Sequence, residues 1–176
     1  TANTDNGTID VKTSVDKVTA TSGNAAVTVA QSGRDVTIQS ISAGSGAVQV
    51  TNENAIAVGG PITGNGGVTL DTSTGVNKGI TGAGLITSTG LVGSGLTATT
   101  SGGAINLTTT VDKLNATSAG GAVNIAQSGH AIDVQSISAG SGTAHVTNND
   151  DISVSGPVNA NGGVNLDTST GLGKTI

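Results

Sequence analysis

Carboxylate, hydroxyls and glycine meet twice in the pentapeptide DTSTG, at 71–75 and 167–171. Oxygens so close together could hold calcium, which takes several hard ligands converging in one loop. They could equally make a turn, in which Asp accepts hydrogen bonds from its own backbone. Each copy offers a single acid, and no GGxGxD series is present. The turn is therefore the expectation for Asp71 and Asp167. Asp150-Asp151 is the one acidic pair, and 96 residues earlier stands Asn54-Ala55. A metal site built into the repeat would keep those oxygens, so no metal is expected.

Hydrolytic chemistry on a sugar needs two carboxylates, or a carboxylate with a basic helper, in fixed geometry. His130 aligns with Arg34 and His145 with Gln49 across the repeat, and neither copy holds a Ser/His/Asp set. The histidines read as surface residues. No catalytic residue, no cofactor site and no enzymatic activity are expected. Lys17 returns as Lys113 and Lys78 as Lys174, each as a solvated turn residue that also discourages edge mispairing. Pairs of the form T-x-T occur at Thr72/Thr74, Thr87/Thr89, Thr97/Thr99 and Thr108/Thr110. Stacked on one flat face they could order water and bind ice. Their steps of 15, 10 and 11 residues do not match one coil, so a single shared face is not expected. Asn6, Asn106 and Asn115 match the glycosylation acceptor pattern, as chance allows in an Asn- and Thr-rich chain.

The elements that carry these residues follow from composition. Among 176 residues there are 29 glycines and no Phe, Tyr, Trp, Met or Cys. Aromatic rings bury about 150–250 Å² each and normally fill a wide core. Here Val, Ile, Leu and Ala must fill a narrow one, and Val, Ile and Thr favour strands. The net charge of −5 argues against nucleic acid or anionic membrane as a partner. No apolar run is long enough to span a bilayer, so membrane insertion is not expected. Lack of cysteine excludes disulfides and thiol chemistry.

The dominant pattern is an internal repeat. VDKVTATS at 15–22 returns as VDKLNATS at 111–118, and QSISAGSG at 39–46 returns unchanged at 135–142. From Val15 to Ile80 the offset is 96 without a gap, and 39 of those 66 positions are identical. The chain thus divides into a unit at 1–96 and a truncated second copy at 97–176, the look of a slice from a longer array. Inside each unit, apolar pairs at i,i+2 mark short strands: Ile9/Val11, Val27/Val29, Val48/Val50, Val68/Leu70, then Ile105/Leu107, Val123/Ile125, Ala144/Val146 and Val164/Leu166. Their second members step by 18, 21 and 20 residues, then 37, then 18, 21 and 20. A second series, Val36/Ile38, Ile56/Val58, Ile132/Val134 and Ile152/Val154, falls between them. Dividing the gap of 37 in two gives five steps per unit.

Such spacing predicts an all-β fold, a parallel β-helix, or β-solenoid, of roughly nine coils of about 18–21 residues, right-handed by the general preference of parallel crossovers. One coil cannot bury its own apolar face, but a stack can. A β-sandwich would want bulkier anchors, a disordered linker would lack ordered β-branched pairs, and helices are disfavoured by this much Gly, Ser and Thr. Residues 81–104 read as one rung of less standard geometry, with a bulge or a small change of cross-section as the alternatives.

GGAVNIAQSG, GSGAVQVTN, GNGGVTLDTSTG and SGGAINLTTT resemble the strand repeats of large bacterial exoproteins, the filamentous haemagglutinin-like adhesins and related autotransporter passengers. The resemblance implies a secreted or surface-attached fibre, exported through an outer-membrane partner and serving attachment or biofilm matrix. Adjacent repeats of the same long protein would be its first partners, and a host glycan or surface protein another. A glycan- or protein-binding lateral face and a self-assembling filament subunit are the alternative functions.

Overall fold

The computed structural model describes residues 1–176 and contains strands and turns only. In chain order the strands are β1 (Ala2–Thr4), β2 (Ile9–Thr13), β3 (Lys17–Ser22), β4 (Val27–Gln31), β5 (Val36–Ser42) and β6 (Val48–Asn52). There follow β7 (Ile56–Val58), β8 (Ile62–Thr63), β9 (Val68–Thr72), β10 (Ile80–Ser88), β11 (Leu96–Thr100), β12 (Ile105–Val111) and β13 (Lys113–Ser118). The last are β14 (Val123–Gln127), β15 (Ile132–Ser138), β16 (Ala144–Asn148), β17 (Ile152–Val154), β18 (Val158–Asn159) and β19 (Val164–Asp167).

Every recorded strand pairing is parallel. The first sheet runs β1-β3-β5-β7-β10-β12-β14-β16-β19, and the second β2-β4-β6-β9-β11-β13-β15-β17. β8 continues β7 across Gly59-Gly60-Pro61, and β18 continues β17 in the same way. Successive strands alternate between the sheets, so each turn of the solenoid contributes one strand, or one split strand, to each. The period-two pattern sends alternate side chains into the space between them. There, 34 buried Val, Ile, Leu and Ala residues form one cluster. Side chains of this size fill a narrow gap in full. In the first sheet, for example, Val36, Ile56, Ile80, Ile105, Val123 and Ala144 lie in register, one above the next.

The solenoid expected from the spacing is present, with about eight turns instead of nine. The miscount has a structural cause. Ile9/Val11 through Val68/Leu70 belong to the second sheet, whereas Ile105/Leu107 through Val164/Leu166 belong to the first. The 37-residue gap therefore spans one and a half turns, not two. Ordinary turns take 18–21 residues, as from Ile9 to Val27 and from Val27 to Val48. The turn through 81–104 is longer: Leu96 pairs with Val68, 28 residues earlier.

The same count shows how the long repeat sits in the fold. Residues 17–22 lie in the first sheet and their copies, 113–118, in the second. Between β3 and β13 the chain makes nine half-turns, so 96 residues are four and a half turns. Each unit is thus displaced along the stack and turned to the opposite sheet, as by a two-fold screw.

Turns inherit this arrangement. Along one edge of the stack, the glycine turns at 23–26, 43–47, 64–67 and 89–95 rest on each other's backbone. Above them on that edge come Asp112, His130, Asp150 and the loop carrying Lys174. The other edge is inverted. It begins with Asp16, Arg34, Glu53 and the loop carrying Lys78, and continues with the glycine turns at 101–104, 119–122, 139–143 and 160–163.

Candidate functional site

DTSTG is the natural starting point, since it alone gathers acid and hydroxyls twice. Leu70 and Leu166 point inward, so the next residues, Asp71 and Asp167, face out at the strand ends. Asp71 Oδ1 accepts a hydrogen bond from the Ser73 amide at 2.7 Å, and Asp167 Oδ1 accepts one from Ser169 at 2.7 Å. The Gly75 amide donates to the Thr72 carbonyl at 3.0 Å, and Gly171 to Thr168 at 2.9 Å. Two residues further on, Asn77 has φ 53° and its counterpart Gly173 has φ 70°. Asn tolerates the left-handed region better than most residues, which explains the exchange. The motif is an Asx turn, with the carboxylate engaged by backbone N–H groups. The two copies project from opposite edges. Ser169 holds the Asp167 carboxyl below the ordinary carboxylate range, through its side chain first and its amide second.

The charged side chains pair locally on the edges. Arg34 Nη1 lies 2.8 Å from Asp16 Oδ1. At the repeated positions, His130 Nδ1 lies 3.3 Å from Asp112 Oδ1. Lys174 Nζ donates to Asp150 Oδ1 at 2.7 Å, an ion pair the first unit cannot make because neutral Asn54 replaces the acid. That bond is the main reason the Asp150 carboxyl is held low and the Lys174 ammonium high. Glu53 and Asp71 line one open groove with Lys12, where Asn149 replaces Glu53 in the other copy. Nowhere do three or more His, Asp or Glu side chains gather as metal ligands would. His145 faces outward on the first sheet, between Asn124 and Asn165. Lys113 Nζ donates to the Val92 carbonyl at 3.2 Å.

The T-x-T pairs divide between the sheets. Thr87 and Thr110 are neighbours in the first, and Thr97 and Thr99 lie in the second. Thr72 is buried and donates to the Lys78 carbonyl at 2.8 Å. Asn6 and Asn106 are exposed, while Asn115 donates to Gln135 Oε1 at 3.1 Å.

A set of polar residues lies inside the rod, and of these only Thr72 stands among the candidates from sequence. Gln31, Asn52, Thr72, Gln127 and Asn148 are buried at the last positions of their strands, and Thr109 is buried two residues before the end of β12. Gln127 accepts from the Val111 amide at 3.2 Å and the Thr109 hydroxyl at 2.7 Å, and donates to the Val111 carbonyl at 3.0 Å. Gln31 makes the equivalent pair of bonds to Val15. Asn52 and Asn148 each donate to two turn carbonyls, and the Oδ1 of each is buried without a protein partner. The signal was present: Gln31, Asn52 and Thr72 stand two residues beyond Val29, Val50 and Leu70, so strict alternation carries them inward. Their polarity disguised them as surface residues.

No known protein family, curated protein or solved structure matches the chain.

Proposed function

We propose that the chain is a structural stalk or fibre segment of a secreted bacterial surface adhesin or matrix protein, with mechanical spacing as its task. The observation that carries this reading is the ungapped 96-residue repeat set on a continuous eight-turn stack. A fixed rise per turn converts chain length into distance, and addition of units lengthens a rod without a new core. Asp71 and Asp167 are engaged in turns, and Asp16, Asp112 and Asp150 in local pairs with Arg34, His130 and Lys174, which suits a spacer. The bacterial surface setting rests on the repeat style alone.

Surface display tests the reading. A small binding domain is mounted on a bacterial surface above zero, one or two copies of the chain. Capture of a bulky bead carrying its ligand is expected to rise with each copy. Equal capture at all three lengths would overturn the spacer role.

A further inference from the structure

The stack leaves its regular course in the turn through 81–104, and the extra chain there builds a rim. Residues 89–95 form a longer turn than 23–26, 43–47 and 64–67 on the same edge. The Gly90 amide donates to Asp112 Oδ2 at 2.7 Å, and the Leu91 amide to Ser94 Oγ at 2.7 Å. Ser94 Oγ donates in turn to the Asn65 carbonyl at 3.0 Å, and Lys113 Nζ to that of Val92 at 3.2 Å. The loop is thereby tied to the turns on both sides of it.

Against this rim the outer face of the second sheet forms a groove of about 330 Å³. Thr69, Thr97 and Asn115 stand in register along its floor. A bulge supplies Gln135. Leu114 pairs with Val134 and Asn115 with Ser136, so Gln135 is the extra residue and comes to line the groove. Asn115 Nδ2 donates to its Oε1 at 3.1 Å, which leaves the N–H groups of the Gln135 amide free. The Thr69 and Thr97 hydroxyls bond to no protein group, and Lys113 commits one of its three N–H groups to Val92. The floor is thus rich in donors, and its free amide acceptor is Asn115 Oδ1.

No Asp or Glu lines this groove, in a chain with 11 acids. Asp133, beside Lys113 on the next turn, takes the Ser153 hydroxyl at 3.4 Å and forms no ion pair with the lysine. The groove at Lys12 differs, since Glu53 and Asp71 share it.

We propose that the groove beneath the 89–95 loop binds a small monovalent hydroxycarboxylate. One ammonium balances one negative charge, whereas a doubly charged oxyanion leaves an excess in an acidic chain. The carboxylate accepts from the Lys113 ammonium and the Gln135 amide, the former as a charge-assisted bond. The ligand hydroxyl donates to Asn115 Oδ1. The chain has no aromatic ring on which a sugar could stack, so the fitting form is the free acid. The proposal goes beyond the spacer reading, whose display experiment can fail without touching it.

The test titrates lactate into the full chain and follows the side-chain amide signals of Asn115 and Gln135 by NMR. Both are expected to shift, with a midpoint at least about tenfold lower than for neutral lactamide. Propionate, which lacks the hydroxyl, should bind more weakly than lactate. Lys113→Met should raise the lactate midpoint at least about tenfold. So should Gln135→Glu, which keeps an acceptor for Asn115 but sets a carboxylate in the groove. That second variant decides the matter if loss of the bond to Val92 loosens the loop in the first. Absence of a shift at Asn115 and Gln135, an equal midpoint for lactamide or propionate, or an unchanged midpoint in either variant overturns the proposal. So does tighter binding of glucuronate than of lactate, since the ligand is then a sugar acid.

Discussion

Gln127 shows what a buried polar side chain does in a rod without aromatic bulk. Its amide closes on the Val111 amide and carbonyl and so fixes the sharp passage from β12 to β13. Replacing it with Leu leaves these backbone groups desolvated and unpaired, a cost of about 1–3 kcal/mol. Gln127→Leu is expected to lower the urea midpoint and to speed exchange of the Val111 amide, while amides near β4 keep their rates. Unchanged exchange at Val111 would show that the turn holds without it. The ion pair of Lys174 and Asp150 is a second residue-scale device. Asp150 is depressed below its ordinary 3.8, so its contribution is present above that pH and lost as pH falls through the lower folded value. Lys174 is raised above 10.5, so its contribution is full below that pH and lost as pH rises through the higher folded value. The pair therefore holds the loop at 168–175 across the whole middle of the pH range. In Lys174→Met the Asp150 titration, followed at its carboxyl carbon, is expected to move up. An unmoved midpoint would mean that the Asp151 amide alone holds it low.

At the scale of elements, β10 is where the regular stack is adjusted. It follows the split strand β7–β8 beneath it residue for residue, from Thr81 on Ala57 to Ile86 on Ile62. Toward β12 the register slips, since Thr81 pairs with Asn106 and Leu85 with Thr108. The three residues 82–84 thus face only Leu107, which makes this a bulge. Ile80 precedes the slip, fully buried between Ile56 and Ile105. Ile80→Ala is expected to cost about 2–5 kcal/mol, as for other buried aliphatic truncations, read from the urea unfolding curve. A loss below about 1 kcal/mol would show that the bulge collapses around the gap. Gly60 and Gly129 make a sharper comparison. A Cβ at Gly60 would meet the Gln39 carbonyl of the turn below, while at Gly129 nothing lies within 4 Å and only φ 73° opposes a side chain. Gly60→Ala should lower the midpoint well beyond Gly129→Ala, whose left-handed backbone costs about 1–2 kcal/mol. The reverse order would refute the close stacking of turns. The irregular rung was legible in the sequence as a break in spacing. A bulge was one of the forms that break could take, but its position at 82–84 was not legible, because Thr81–Gly84 carries no apolar alternation to betray register.

The whole molecule is a rod whose unit of repetition turns it over. Four and a half turns at about 4.8 Å give roughly 22 Å of rise per unit, and the two-fold screw sends each copy of a surface motif to the opposite side. A partner that recognises one DTSTG loop therefore meets the next on the far edge, so the rod is two-sided along its length. Spin labels on Ser73→Cys and Ser169→Cys test this, since both positions are exposed. Their separation is expected to exceed the roughly 22 Å of axial rise by a contribution from the rod's width. A distance at or below that rise would place both loops on one edge.

Period-two alternation, the absence of aromatics and the ungapped repeat were enough to determine a parallel β-solenoid. Only short branched side chains facing a neighbouring turn can bury so little apolar surface per strand and still make a core. The same alternation, followed two residues further, also contained the buried Gln31 and Asn52. What the sequence could not decide was the number of half-turns between two like motifs. An inward Val in one sheet and an inward Val in the other have the same neighbours along the chain and the same period. Only the pairing of strands separates them, because hydrogen-bond register is a relation between residues about 20 positions apart. That register made 96 residues four and a half turns instead of five, and it placed the two DTSTG loops on opposite edges of the rod.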